Sequence, residues 1–316
     1  MRSRFFLRRL AMLLATLLVS SFVIFSALFI APGNPIAVLS GGRSLPADSV
    51  RILEARYHLD QPFLTQYWLW LKGALHGDFG ISIALRENVS SLIGARIWTT
   101  GALVLYASVL ILVLGIGLGL LAGLRRGFLD TSVLATTAIS AAIPSFVAAI
   151  VLILVFSVKL TWFPSLGTGS GFLGTLYHLT LPAVALAISS LAIVARVTRA
   201  SVREEFEREH VQTAVSRGIP PRQLIRRHVL RNAAIPITTV SGITVASLIA
   251  VAAVVERAFG LNGLGAYLVA SANSKDFAVV QGISLVLVTA FVVVNTLVDL
   301  AYALLDPRVK LGSRAQ

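Results

Sequence analysis

The chain has no cysteine among its 316 residues, which excludes disulfides, thiolate metal sites and cysteine nucleophiles but says nothing about redox compartment. Charge is scarce too. Asp, Glu, Lys and Arg make up 13% of the sequence, about half of what a soluble domain carries. No G-x-x-x-x-G-K-[ST] occurs, so the loop that cradles nucleotide phosphates is missing. Its nearest counterpart is Gly115, Gly117, Gly119 and Gly123, inside an apolar run. There Gly115, Gly119 and Gly123 repeat every four residues, the small-residue spacing that lets helices approach closely in lipid. His58, His76, His178, His210 and His228 show no metal-ligand spacing, and no Ser or Thr is matched with a histidine or acid as nucleophile and base. Internal repeats and low-complexity tracts are absent as well.

What is abundant is apolar residue. Hydrophobic types form 56% of the chain and the mean hydropathy is +0.85. They gather in stretches near the ~20 residues that a helix needs to cross the hydrocarbon while satisfying its own backbone. Six spans are expected, at about 10–31, 99–124, 131–158, 176–198, 234–256 and 280–304, giving an all-α membrane protein. The first follows Arg2, Arg4, Arg8 and Arg9, so a signal peptide is the rival reading. A signal's apolar core is only about 7–15 residues long, and the longer stretch here favours a retained helix.

The net charge of +13 could suggest nucleic acid, but its placement argues for topology instead. With the N-terminus inside, segments 1–9, 125–130, 196–232 and 305–316 hold 18 Lys/Arg, against 9 in the outer segments 32–98, 159–175 and 256–279. Basic residues concentrate on the cytoplasmic side, so both termini are expected there and nucleic acid is not a partner. The organisation expected is a cytoplasmic N-terminus (1–9), a first span (10–31) and an external loop with short helices (32–98). A core of five further spans follows (99–304), containing a cytoplasmic loop at 199–232, and then a cytoplasmic C-terminus (305–316). In the outer loop, residues 48–57 read as a short amphipathic helix. Residues 63–75, with Tyr67, Trp68 and Trp70, suit a helix at the membrane interface.

Polar residues inside spans are candidates for a pathway. Ser241, Thr244 and Ser247 recur at i, i+3 and i+6, and Ser140 and Ser145 flank Pro144, which should kink the third span. Asn295 and Asp299 share a face of the sixth span. For the serines and Thr244 the alternative is bonding across helix pairs, and for Asp299, about five residues from the inner end of its span, it is reaching the interface. Glu256, at the outer end of the fifth span, is a candidate for ordering the outer rim.

The loop 199–232 carries most of the functional argument. From Arg203 to Arg217 the pattern is helical, with Phe206, His210, Val211, Ala214 and Val215 along one stripe and Glu204 and Arg208 spaced for an ion pair. Gly218 stands where a C-terminal glycine belongs, and Pro220 and Pro221 forbid continuation. Gln223 to Leu230 can form a second short helix. A solvated connector is the bland reading, but a connector needs no apolar stripe, whereas a stripe in water wants a partner's groove.

The run Gln212-Thr213-Ala214-Val215-Ser216-Arg217-Gly218, followed by Arg227-His228-Val229-Leu230-Arg231-Asn232-Ala233-Ala234-Ile235-Pro236, resembles the cytoplasmic EAA loop of binding-protein-dependent ATP-binding-cassette permeases. The branch it looks like imports dipeptides, oligopeptides and nickel. Pro32-Gly33-Asn34-Pro35, Leu59-Asp60-Gln61-Pro62, Gly77-Asp78-Phe79-Gly80-Ile81-Ser82, Val255-Glu256-Arg257-Ala258-Phe259 and Leu305-Asp306-Pro307-Arg308 extend the resemblance over nearly the whole chain. Gln212 replaces the generic first Glu, His210 stands where Asp is common, and Asn262 replaces a frequent Pro.

The resemblance implies a type I importer permease fold in a bacterial inner membrane, acting as a non-catalytic half-channel. Implied partners are a second, different permease subunit, two ATPase subunits and an extracytoplasmic solute-binding protein. ATP and Mg would be used by the ATPases, with no cofactor held by this chain. Phe206, His210, Val211, Gln212, Thr213, Ala214, Gly218 and His228 would form the ATPase contact. Peptide is the expected cargo, with nickel, glutathione or another small solute as alternatives. A self-powered transporter would usually show inverted repeats or mid-membrane charge, and a membrane enzyme would show a catalytic pair or metal cluster.

Overall fold

The computed structural model describes residues 2–30, 46, 48, 50–51, 60–125 and 127–305. The short helix expected at 48–57 lies for the most part outside them. So do Pro32 to Pro35 and most of the 305–308 motif.

Ten helices are described: α1 (Arg2–Ile30), α2 (Phe63–Leu75), α3 (Val89–Leu124), α4 (Phe128–Ala142), α5 (Ser145–Lys159), α6 (Gly171–Glu207), α7 (Glu209–Ser216), α8 (Pro221–Ala258), α9 (Leu264–Asn273) and α10 (Phe277–Leu305). Among the described residues there is no strand beyond one isolated bridge between Ile81 and Asn88. Helices α1, α3, α6, α8 and α10 are each long and apolar enough to cross a membrane. The third expected span is a broken pair, α4 and α5, bent by 100°. The break has a local cause: Pro144 drives the residue before it out of the helical region, and Ile143 sits at φ −88°, ψ 114°. The kink expected at Pro144 is thus nearly a right angle.

Several helices run well past the apolar segments that announce them. At about 1.5 Å per residue, the 37-residue α6 is about 55 Å long, against a hydrocarbon thickness of about 30 Å. Its length therefore exceeds that thickness by about 25 Å. The second short loop helix expected at 223–230 is the opening of α8, which passes through a π-turn at Ile225–Val229 without stopping.

The chain divides into two compact units. Unit 1 comprises Met1–Trp98 and Gly263–Val292. In it α2 packs on α1 through rings. Phe22 meets Tyr67 edge-on with centroids 5.3 Å apart, Phe25 lies 5.5 Å from Trp70, and Ser21 and Tyr67 share a 2.9 Å hydroxyl bond. The aromatic face of α2 is thus largely spent on α1, while Trp68 stays 61% exposed. A second cluster joins Val89, Leu92 and Ile93 to Leu264, Val279 and Ile283. Beside it the buried carboxylate of Asp276 accepts bonds from the Ser82 hydroxyl (2.5 Å) and from the amides of Ile83 (3.2 Å) and Ala84 (3.1 Å), fastening the loop that precedes α3. Burial pushes the nearby Tyr267 phenol up, against the pull of the Arg96 guanidinium 4.0 Å over its ring.

Unit 2 comprises Thr99–Asn262 and Val293–Gln316 and is built around α6, with 56% of its apolar window buried. The glycine repeat of α3 makes this packing possible. A Cβ at Gly119 would lie 2.5 Å from the Thr198 Cβ, and one at Gly123 would lie 2.9 Å from Val202. Gly115 faces Val194, whereas Gly117 faces open space. The repeat is a seam for α6. A second close approach occurs at Gly242 of α8, where a Cβ would lie 2.1 Å from Val298 of α10.

Candidate functional site

The loop 199–232 lies wholly in unit 2. The expected helix from Arg203 to Arg217 is interrupted: α6 ends at Glu207, Arg208 is extended at ψ 139°, and α7 begins at Glu209. Arg208 serves as the joint, its guanidinium 2.7 Å from Glu204 on α6 in the expected ion pair. At the far end of α7 Gly218 takes φ +75°. Its amide donates to the Val215 carbonyl (2.9 Å) and the Ile219 amide to Ala214 (3.2 Å), the paired bonds of a Schellman cap. A left-handed residue is required there, and glycine adopts that conformation without a Cβ penalty.

The apolar stripe divides, with His210 and Val215 facing outward and the rest turning inward. Val211 is 1% exposed and Ala214 4%, and with half-buried Phe206 they join a core of Val202, Leu224, Val229, Ala233 and Ile237. The inward turn has a simple cause: the ends of α6 and α8 offer an apolar surface within the same chain, and α7 lies on it. What α7 turns outward is His210, Gln212, Thr213, Val215, Ser216 and Arg217, together with Gly218.

A polar knot ties this loop together. The largely buried Glu205 carboxylate lies 3.4 Å from His210 Nε2 and 3.7 Å from Arg208 Nε. Asn232 Nδ2, from the first turns of α8, reaches Glu205 (3.3 Å), His210 Nε2 (3.2 Å) and the His228 carbonyl (3.0 Å). The knot borders an open cavity of about 1360 Å³ lined by Glu204, Glu205, Arg208, His210, His228 and three further arginines, Arg226, Arg227 and Arg231. His228, half-buried, contributes to this wall. Glu205 and Asn232 escaped sequence reasoning because neither stands out in spacing.

A second polar cluster was also missed. Asp130, in the first turn of α4, is 9% exposed and binds two arginines of α6. Arg199 is bidentate at 2.5 and 3.0 Å, and Arg203 approaches to 2.6 Å. Arg203 also donates to the Ala122 carbonyl of α3 at 3.3 Å. One signal was available: two arginines at i,i+4, and a single acid in the otherwise basic segment 125–130.

The pathway candidates divide. Ser241 and Thr244 are buried within unit 2, the Ser241 hydroxyl without a hydrogen-bond partner, and Ser247 is exposed with its hydroxyl bonded to the Thr244 carbonyl (2.7 Å). Ser140 and Ser145 are half-buried on either side of the α4–α5 break, and Asn295 is half-buried on α10. Glu256 is fully buried and accepts the Thr100 hydroxyl at 2.6 Å, which joins α8 to α3 from within.

Residues 115–311 match the family described as binding-protein-dependent transport system inner membrane component, and residues 2–104 match the N-terminal family of the same membrane components. The dipeptide transport system permease protein DppB of Bacillus subtilis is 36% identical over 314 residues, 99% of either chain. The oligopeptide transport system permease protein OppB of Salmonella typhimurium is 33% identical over 309 residues, covering 97% of this chain and 99% of that one. A chain of the MetNI methionine ABC transporter, solved in inward-facing conformations, shares the fold at a TM-score of 0.55 and 19% identity, covering 68% of this chain and 96% of that one. With its stacked apolar spans and bent pair, this chain belongs to the family of binding-protein-dependent transport system inner membrane components and is a multi-pass inner-membrane permease subunit.

Proposed function

We propose that this permease forms half of the translocation pathway of a peptide importer, and that force from ATP hydrolysis enters it through α7. The observation that carries the proposal is the loop's construction. A short helix held rigidly at both ends, by the Arg208 joint and the Gly218 cap, turns a polar face outward and rests its apolar face on unit 2. Such a helix transmits displacement instead of absorbing it. His210, Gln212, Thr213, Val215 and Arg217 meet an ATPase subunit, and His228 contributes from the adjacent cavity wall. Phe206, Val211 and Ala214 pass the motion inward.

The basic bias of the inner segments supports cytoplasmic termini and a cytoplasmic α7. The remaining partners are a second permease, a second ATPase subunit and an extracytoplasmic solute-binding protein, with ATP and Mg bound by the ATPases. Peptide cargo is supported by the names of the dipeptide and oligopeptide relatives. Ser247, Ser140, Ser145 and Asn295 remain the pathway candidates, and Glu256 orders the outer end of α8. In proteoliposomes holding the complete complex, Gly218→Val should abolish ATP-dependent uptake of radiolabelled trialanine while the ATPases remain bound. Undiminished uptake by that variant would refute entry of force at this corner, and wild-type complex that ignores trialanine and dialanine would refute peptide as cargo.

A further inference from the structure

We infer that Asp130, Arg199 and Arg203 form a positioning lock that carries motion of α7 to the broken α4–α5 pair, an inference that rests on α7 as the point where force enters. Three observations converge. First, α6 is an unbroken helix from residue 171 to residue 207, so Arg203 stands about one and a half turns from the Arg208 joint and Arg199 about two and a half. A displacement delivered at the joint reaches both guanidiniums with little loss. Second, α6 packs closely on α3 at Gly119 and Gly123, where a Cβ would lie 2.5 Å from Thr198 and 2.9 Å from Val202. To that contact Arg203 adds a tie to the Ala122 carbonyl of α3. Third, both arginines converge on one buried carboxylate in the first turn of α4, the helix that ends at the 100° break.

A bidentate guanidinium–carboxylate pair fixes direction as well as distance, which one apolar contact does not. With Asp130 also accepting from Arg203, the start of α4 is held by two rows of α6. Removing the carboxylate would leave two neighbouring cations without their counter-charge, so α4 would no longer be tied to α6 when α6 moves. Asp130 touches no cargo. It positions α4.

The test uses the complete reconstituted complex, reading ATP hydrolysed per radiolabelled trialanine imported, for preparations matched in bound ATPase. A merely structural role lowers hydrolysis and uptake together and leaves their ratio unmoved. For Asp130→Asn the ratio is expected to rise roughly 2- to 30-fold, the range that coupling mutations span. Because the chain has no cysteine of its own, the pair Asp130→Cys and Arg203→Cys can be bridged by a short bis-maleimide. Bridging should return the ratio to the wild-type value within one preparation. A wild-type ratio in Asp130→Asn, a ratio that stays high after bridging, or failure of every variant to assemble would overturn the lock. Absence of ATP-dependent uptake in the wild-type complex would overturn the proposed function instead.

Discussion

Gly218 on one side and Gly119 and Gly242 on the other show two different demands on a residue without a side chain. At Gly218 a Cβ would meet nothing within 4 Å, so the constraint is the backbone alone, at φ +75°. Asn tolerates that conformation and Val does not. Gly218→Asn should therefore keep most uptake where Gly218→Val loses it. At Gly119 and Gly242 the demand is space. Alanine there should lower the stability of the purified chain by about 1–3 kcal/mol, the usual cost of overpacking. Gly117→Ala, pointing into open space, should melt like wild type. Thermal unfolding in detergent separates the two crowded glycines from Gly117. Gly218 and the Gly115–Gly123 repeat were legible because punctuation and spacing are local properties. Gly242 was not, since its need comes from Val298, 56 positions away.

Among the helices, the instructive one is α7. Val211 and Ala214 of its stripe are covered from within the chain while Val215 stays exposed, because periodicity tells which residues share a face but not what covers it. The inward packing makes a direct prediction. Val211→Asp should destabilise the isolated chain by several kcal/mol, since it buries an unpaired charge. Thr213→Asp, on the outer face, should leave the melting temperature unchanged and reduce co-purification of the ATPase. Equal effects of the two on isolated-chain stability would contradict the assignment of faces. The pairing of α1 with α2 is tested more gently. Tyr67→Phe removes the bond to Ser21 and should cost about 0.5–1.5 kcal/mol, with the ring packing intact.

For the protein as a unit in its membrane, the strongest expectation is orientation. Arg217→Cys should be labelled by an impermeant maleimide in inside-out vesicles and not in intact cells; labelling from outside would invert the topology and remove α7 from reach of any cytoplasmic ATPase. The apolar spans and the helical class could be read from the chain alone. Each depends on transfer of a segment between water and lipid, and that free energy is a sum over neighbouring residues. The right-angle break at Pro144, the inward turn of α7, the burial of Ser241 and Thr244, and the meeting of Asp130 with Arg199 and Arg203 could not. These depend on which surfaces touch, and residues 69 and 73 positions apart become neighbours only when α4 lies against α6.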